Sequence, residues 1–218
     1  MAYFARGFLL LIAVFMLLIA HGDELRVDYT AFYNHLKKID REDTNNLEFG
    51  FGFIHVTTKN LCQINSGFIH TQKIDLPITI ASDNRFSLPS EKALKLARAE
   101  VVLMLEQAVN QCDMSVQIHT NQSSLKTDYT PKELQDLNQQ FEAFFDSMGS
   151  FLSFMMPSAK GLVLHMPKVT SQLQAFANDN ASVELNDRLL SIPAKWLQER
   201  STVITLGQAP EKITAWIK

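Results

Sequence analysis

One apolar stripe, at positions 130–156, constrains the fold of this chain more than any other feature. Thr130, Pro131 and Glu133 carry three agreeing signals for a helix start: an N-cap, a proline at the first helical position and a capping box. Apolar side chains then recur at steps of three and four residues, namely Leu134, Leu137, Phe141, Phe144, Phe145, Met148, Phe151, Leu152 and Met155. The stripe ends at Pro157, which predicts a helix of about seven turns that buries one wide face against a sheet.

Patterns with a period of two predict antiparallel strands before and after this helix. The clearest strand places three phenylalanines on one face and two glycines on the other: Phe49, Phe51, Phe53, Gly50 and Gly52. Glycine on one face indicates close approach of other groups there. Further strands are predicted at 61–64, 67–71, 76–80, 101–105, 114–120, 161–166 and 202–206, with short helices near 30–38, 90–98 and 194–199. The fold class is therefore α+β, with antiparallel sheets, one long amphipathic helix and short helices.

A polar stretch near residue 125 suggests a boundary between two modules. The first, 23–125, is β-rich with an N-terminal helix, and the second, 126–218, holds the long helix and further strands. Similar corners at 83–89 and 187–193 are each followed by a short helix and a strand, as in two related modules. A chance match of a common strand-proline-helix corner explains this similarity equally well.

The last strand of the first module alternates apolar and polar residues. We expect Met114 and Val116 to face inward, and Ser115 and Gln117 to face outward.

Residues 1–22 have the pattern of a cleavable secretory signal peptide. Arg6 precedes an uninterrupted apolar run at 8–20, and Ala20-His21-Gly22 supplies small residues before a cut after Gly22. An uncleaved anchor is the alternative, but a helix of this length rises only about 20 Å, short of the roughly 30 Å hydrocarbon core. The sequence therefore predicts a periplasmic or secreted protein with no membrane span after cleavage.

Cys62 and Cys112 are the two cysteines of the chain. In an exported protein such a pair indicates one disulfide, with two buried free thiols as the alternative. The pair alone does not suit a structural zinc site, which needs four ligands.

Composition and motifs argue against several functional classes. The net formal charge is −3 and no basic stripe is present, which argues against nucleic-acid binding. The sequence has no nucleophile elbow, metalloprotease helix, phosphate-binding loop or CxxC motif, so we predict a non-enzymatic protein without a cofactor. A hydrolase is an alternative, because catalytic groups can converge from distant positions.

Four histidines lie near the ends of predicted strands: His55, His70, His119 and His165. Alignment of neighbouring strands would gather two or three imidazoles into a zinc or copper site, with His55 and His70 as the best pair. Water-facing strand ends are the simpler interpretation. Methionine could bind Cu(I) at Met148, Met155, Met156 and Met166, although core packing is the usual role of such side chains.

Three segments resemble an uncharacterised family of exported proteins from marine gammaproteobacteria, defined as a domain of unknown function. They are Leu61-Cys62-Gln63-Ile64, Arg85-Phe86-Ser87-Leu88-Pro89 and Cys112-Asp113-Met114-Ser115-Val116-Gln117, preceded by a leader and a tyrosine-rich helix. The resemblance covers roughly two thirds of the chain after the leader. It implies an envelope location and paired cysteines, and it transfers no catalytic residue.

The sequence thus predicts an exported envelope protein that binds another protein or an envelope polymer. The candidate binding residues are the aromatic strand face and the end of the helix stripe, namely Phe49, Phe51, Phe53, Phe151, Phe154 and Met156.

Overall fold

The computed structural model describes residues 22–148 and 159–217, and it confirms the predicted α+β class. The strands are β1 (Asp23–Asp28), β2 (Leu47–His55), β3 (Ile64–His70), β4 (Asp75–Pro77), β5 (Glu100–Leu105), β6 (Cys112–Thr120), β7 (Asp128–Tyr129), β8 (Ala159–His165), β9 (Glu184–Asn186), β10 (Leu189–Pro193), β11 (Ile204–Thr205) and β12 (Lys212–Ile217). The helices are α1 (Tyr29–Leu36), α2 (Lys92–Leu96), α3 (Pro131–Met148), α4 (Ser171–Asn178) and α5 (Ala194–Gln198).

All strand pairs between these elements are antiparallel. One sheet has the order β1-β5-β3-β4, a second has the order β12-β8-β10-β9, and two further pairs join β2 to β6 and β7 to β11.

The two halves of the chain share one pairing scheme. In the first half β2 lies between β6 and a bridge at Phe86, and in the second half β8 lies between β12 and β10, where Leu190 takes the place of Phe86. These two residues hold the same position in the similar corners at 83–89 and 187–193. The first strand of each half also pairs with the strand after the short helix, as β1 with β5 and β7 with β11. This correspondence is what two related modules require, while the boundary at residue 125 stays a prediction.

Helix α3 begins as its sequence predicts. The Glu133 carboxylate accepts hydrogen bonds from the backbone N–H of Thr130 (2.8 Å) and from its hydroxyl, and the Glu133 backbone N–H donates to the Thr130 hydroxyl (3.3 Å). This is the predicted capping box. The described helix ends at Met148, so the predicted continuation, with Phe151, Phe154, Met155 and Met156, lies outside the described residues, as does the leader up to residue 21.

The aromatic face of β2 is core, which corrects the expectation that it binds a partner. Phe49, Phe51 and Phe53 are 4%, 0% and 3% exposed. Phe32 of α1 meets Phe51 edge-on at 5.0 Å between ring centroids, and Phe144 of α3 meets Phe49 at 5.7 Å. Two helices therefore pack on this face of β2. Burial of its three phenylalanines stabilises the fold by several kcal/mol, about 1.5–3 kcal/mol for each ring.

The exposure of β6 differs from its predicted alternation. Met114 and Val116 lie on the same face as the phenylalanines of β2 but are 37% and 36% exposed, since the helices pack on β2 and make few contacts with β6. Ser115 and Gln117 point instead to a polar cleft, where they accept hydrogen bonds from Arg85 and Lys212.

Cys62 and Cys112 form the predicted disulfide and are both buried. The bond joins the loop before β3 to the first residue of β6, across 50 residues of chain. It therefore ties the two sheet systems of the first half together.

We expect the double variant Cys62→Ser/Cys112→Ser to lose about 4 kcal/mol of unfolding free energy, because an uncrosslinked loop of this length gains entropy when the chain unfolds. Urea unfolding followed by circular dichroism measures this loss. A thiol reductant should lower the wild-type midpoint and leave that of the double variant unchanged. Equal midpoints for the two proteins in non-reducing buffer would contradict a stabilising role.

Candidate functional site

The candidate site is a cleft of about 560 Å³ that residues of both halves line. It lies where β6 meets β12: the Ile213 backbone N–H donates to the Thr120 hydroxyl (3.1 Å), and the Lys212 amine donates to the Gln117 side chain (3.1 Å). The first half contributes the segment 77–89 and part of β2, and the second half contributes residues around His165 and Lys212. This volume is typical of ligand sites in proteins.

Gly50 forms part of the cleft wall, and its missing side chain makes room for two functional groups. A Cβ at this position would lie 2.8 Å from Nε2 of His119 and 3.4 Å from Cδ of Arg85. At Gly52 a Cβ would lie 3.4 Å from Cγ of the same arginine. The predicted close approach on the glycine face of β2 is therefore confirmed: the imidazole of His119 and the stem of Arg85 approach Gly50, and the backbone carbonyl of Asn84, at 3.1 Å from a Cβ, approaches Gly52.

The guanidinium of Arg85 is partly buried against this wall. It donates to the backbone carbonyl of Gly50 and to the hydroxyl of Ser115, each at 3.3 Å. Burial lowers the pKa of Arg85, and the charge of Asp83 opposes that shift.

Lys212 and Asp83 form an ion pair that joins the second half to the first. Their side chains are only 18% and 35% exposed. Burial by itself would raise the pKa of Asp83, but the hydrogen bond and charge of Lys212, together with the charge of Arg85, outweigh burial and lower it. The carboxylate is therefore ionised and engaged at neutral pH.

The structure brings two of the four candidate histidines, His119 and His165, to the same cleft. Nδ1 of His119 lies 2.8 Å from the carbonyl oxygen of Thr120, and Nε2 of His165 lies 3.0 Å from the hydroxyl of Thr214. The pKa of His165 is lowered to about 4, chiefly by burial and then by the charge of Lys212. His165 is therefore neutral at physiological pH.

The other two histidines lie apart from this cleft and from each other, which corrects the choice of His55 and His70 as the best metal-binding pair. His55 ends β2 and accepts from the turn that follows, at 3.2 Å from the backbone nitrogen of Thr58, whereas His70 ends β3 and contacts Asp75 at 2.7 Å. They do not align because β2 pairs with β6 and not with β3. Within 22–148 and 159–217, no three His, Cys, Asp or Glu residues are grouped as metal ligands.

Glu48 connects His119 with Ser87 at the edge of the cleft. Its carboxylate lies 3.7 Å from Nδ1 of His119, and burial raises the pKa of Glu48 against the effects of His119 and a hydrogen bond with Ser87. A Ser-His-acid triad needs the hydroxyl on the imidazole. Among the described residues the Ser87 hydroxyl makes no hydrogen bond to the imidazole of His119, so the three groups line one cleft without forming a triad.

A second cavity of about 540 Å³ adjoins the cleft. Glu48 and Leu88 line both cavities, and the second one extends past the end of α1 through Ile39 and Arg41. The two cavities are therefore neighbours that Glu48 and Leu88 separate, and together they are called the groove below.

Sequence reasoning did not identify the charged residues of this cleft. Asp83 and Arg85 were noted only as parts of the corner at 83–89, Lys212 carries no motif, and Asp83 and Lys212 are 129 residues apart in the chain. The glycines of β2 predict close packing on that face of the strand, but they do not identify the residues that pack there.

For residues 22–148 and 159–217, no helix is both long enough and apolar enough to cross a bilayer.

The lowered pKa of His165 predicts a specific loss of stability in acid. Between the usual histidine pKa of about 6.5 and the folded value of about 4, the unfolded chain binds a proton that the folded chain does not. The stability that the folded protein gains from a neutral His165 is fully present above about pH 6.5 and falls as the pH drops toward 4. We expect His165→Gln to reduce the acid loss by about 1–2 kcal/mol, once solvent screening is allowed for.

Urea unfolding near pH 7 and near pH 4 measures this difference. His70→Gln is the matched control, because its exposed imidazole lies outside the cleft, and it should keep most of the wild-type acid loss. An unchanged acid loss in His165→Gln would refute the assignment.

Comparison with known proteins identifies the family of this chain. A family model described as "Protein of unknown function (DUF2987)" matches residues 21–166, which span β1 to β8 and include the disulfide. No curated protein and no solved structure matches the chain. The match carries no information on marine origin or export, and both stay predictions. The chain belongs to the DUF2987 family of proteins of unknown function.

Proposed function

We propose that this chain is an exported, non-enzymatic binding protein whose ligand is an extended segment of another protein or of an envelope polymer. The observation that carries the proposal is the groove formed by the two adjoining cavities. A compact small molecule fills one cavity of this size, whereas a chain-like ligand can occupy both across the shared wall at Glu48 and Leu88.

The wall of the groove suits a chain with polar groups along its length. It offers hydroxyl groups, both signs of charge and a neutral imidazole, in the form of Thr79, Ser82, Asp83, Arg85 and His165. Such a mixture recognises a ligand through several directional hydrogen bonds.

Export is supported by the predicted leader and by the disulfide. Disulfides persist in oxidising compartments such as the periplasm and are rare in the cytosol. The buried Cys62–Cys112 bond is therefore consistent with the predicted compartment.

A hydrolase is the second candidate function, because the cleft gathers Glu48, Ser87 and His119. It would need the Ser87 hydroxyl to form a hydrogen bond with the imidazole of His119 when substrate binds. Turnover of a bound ligand that Ser87→Ala abolishes would favour this candidate. The metal-binding alternative has no observation in its favour among the described residues.

We expect Ser87→Trp to block ligand binding without unfolding the protein. Ser87 is exposed and lies between buried Phe86 and Leu88, so an indole at this position fills the groove and leaves the core intact. The measurement is binding to a phage-displayed library of short linear peptides and to soluble glycan strands from the bacterial envelope. Binders selected on the wild type should lose at least about tenfold in affinity for Ser87→Trp.

Thr205→Trp is the matched control, since Thr205 is an exposed strand residue outside both cavities. It should bind as the wild type does. Failure to select any binder, or equal binding by both tryptophan variants, would reject the groove as the binding site.

A further inference from the structure

We infer that Arg85 anchors an oxyanion of the ligand, a carboxylate or a phosphate group, within the cleft. This inference rests on the proposed binding function and deepens it by naming the chemistry that the site recognises. Three observations support it. The guanidinium of Arg85 has only neutral hydrogen-bond acceptors among the described residues, the carboxylates around it contact other groups, and its side chain packs on the glycine face of β2.

The guanidinium of Arg85 makes hydrogen bonds only to neutral acceptors among the described residues. Both contacts, to the Gly50 carbonyl and the Ser115 hydroxyl, are 3.3 Å long, beyond the usual N–H···O range. A guanidinium has five N–H donors in a planar fork, and its short, strong partners are carboxylate and phosphate. Three donors of this partly buried cation therefore remain for a ligand.

The carboxylates around Arg85 do not take these donors. Asp83 is bound by Lys212, and Glu48 lies against His119 and Ser87. Glu211 also lines the cleft but forms no ion pair with Arg85 within the described part of the chain. Asp83 offsets the charge of Arg85 only in part, because its carboxylate is bound by Lys212. A ligand oxyanion supplies the short, charge-assisted hydrogen bonds that the guanidinium lacks among the described residues.

The position of Arg85 is fixed before any ligand arrives. Its aliphatic stem packs on β2 at Gly50 and Gly52, where a Cβ would lie 3.4 Å from its Cδ and Cγ atoms. The preceding residue, Asn84, has a positive φ of 57° and forms the tight corner from which Arg85 enters the cleft. Preorganisation of this kind favours affinity, because little side-chain freedom is lost on binding.

The same surroundings limit which anions the cleft can accept. Asp83, Glu48 and Glu211 place three carboxylates around the wall. Three cations, Arg85, Arg188 and Lys212, also line the cleft, so neither sign of charge is in excess. This balance gives a dense polyanion no general attraction, while a single oxyanion can pair with the guanidinium of Arg85. The preferred ligand segment therefore carries isolated carboxylate or phosphate groups, separated by uncharged units.

Binding of defined probes to the full chain after leader removal tests this inference. The probes are the tripeptide acetyl-Ala-Glu-Ala-amide, its Gln counterpart and inorganic phosphate, titrated by NMR at constant ionic strength. We expect the Glu tripeptide or phosphate to shift the Arg85 side-chain and backbone signals saturably, and the Gln tripeptide to bind at least about tenfold more weakly. The probe that binds more tightly, the Glu tripeptide or phosphate, shows whether the ligand group is a carboxylate or a phosphate.

Arg85→Gln should lose at least about tenfold in affinity for the preferred anion, and Arg85→Lys should lose part of it because the planar fork is gone. Arg98→Gln is the matched control, since it removes one positive charge at an exposed position outside both cavities. It should change affinity by less than about threefold. Arg85→Lys keeps the cation and serves as the second variant if Arg85→Gln unfolds in urea at a lower midpoint.

Equal losses for Arg85→Gln and Arg98→Gln, or equal binding of the Glu and Gln tripeptides, would overturn the inference. Binders that Ser87→Trp blocks but that Arg85→Gln retains would reject the role of Arg85 and leave the binding groove in place. The absence of any binder sensitive to Ser87→Trp would reject the proposed function itself.

Discussion

The opposite roles of the two faces of β2 are the constraint on which the rest of the structure depends. One face buries Phe49, Phe51 and Phe53, and the contacts of Phe51 with α1 and of Phe49 with α3 hold both helices on the strand. The other face presents Gly50 and Gly52, where the lack of side chains admits Arg85 and His119. Because side chains alternate strictly along a strand, packing of the phenylalanines also fixes the direction in which the glycine face of β2 points. Core and cleft are therefore specified by the same nine-residue strand.

The cleft arises from the contact between the two halves. Each half repeats the pairing of a central strand with two neighbours, and the edge strands β6 and β12 meet at the contact. This contact brings Lys212 to Asp83, which leaves Arg85 without a carboxylate partner among the described residues. An ion pair of this kind contributes little net stability once desolvation is counted, but it places charges at defined positions. The arrangement of these charges is the basis of the recognition that we propose.

The region that matches the family model contains only part of the cleft. The matched residues, 21–166, contain the glycine face of β2, Arg85 and both cleft histidines, whereas Lys212 and Arg188 lie beyond them. Arg85, which we infer binds the anion, and the glycines of β2 on which it packs therefore belong to the matched region. The groups from the second half close the cleft and set its charge balance.

Local patterns in the sequence determined the capping box of α3, the disulfide partners, most strand positions and the α+β class. These features depend on neighbours in the chain or on pairing of the two available cysteines. Tertiary structure decided the rest. The phenylalanines of β2 are core because two helices cover them, and His55 and His70 are apart because β2 pairs with β6. Asp83, Arg85 and Lys212 meet through the contact of β6 with β12, across more than half of the chain. No periodicity encodes this contact, because the side-chain pattern of a strand specifies its faces and not its partner.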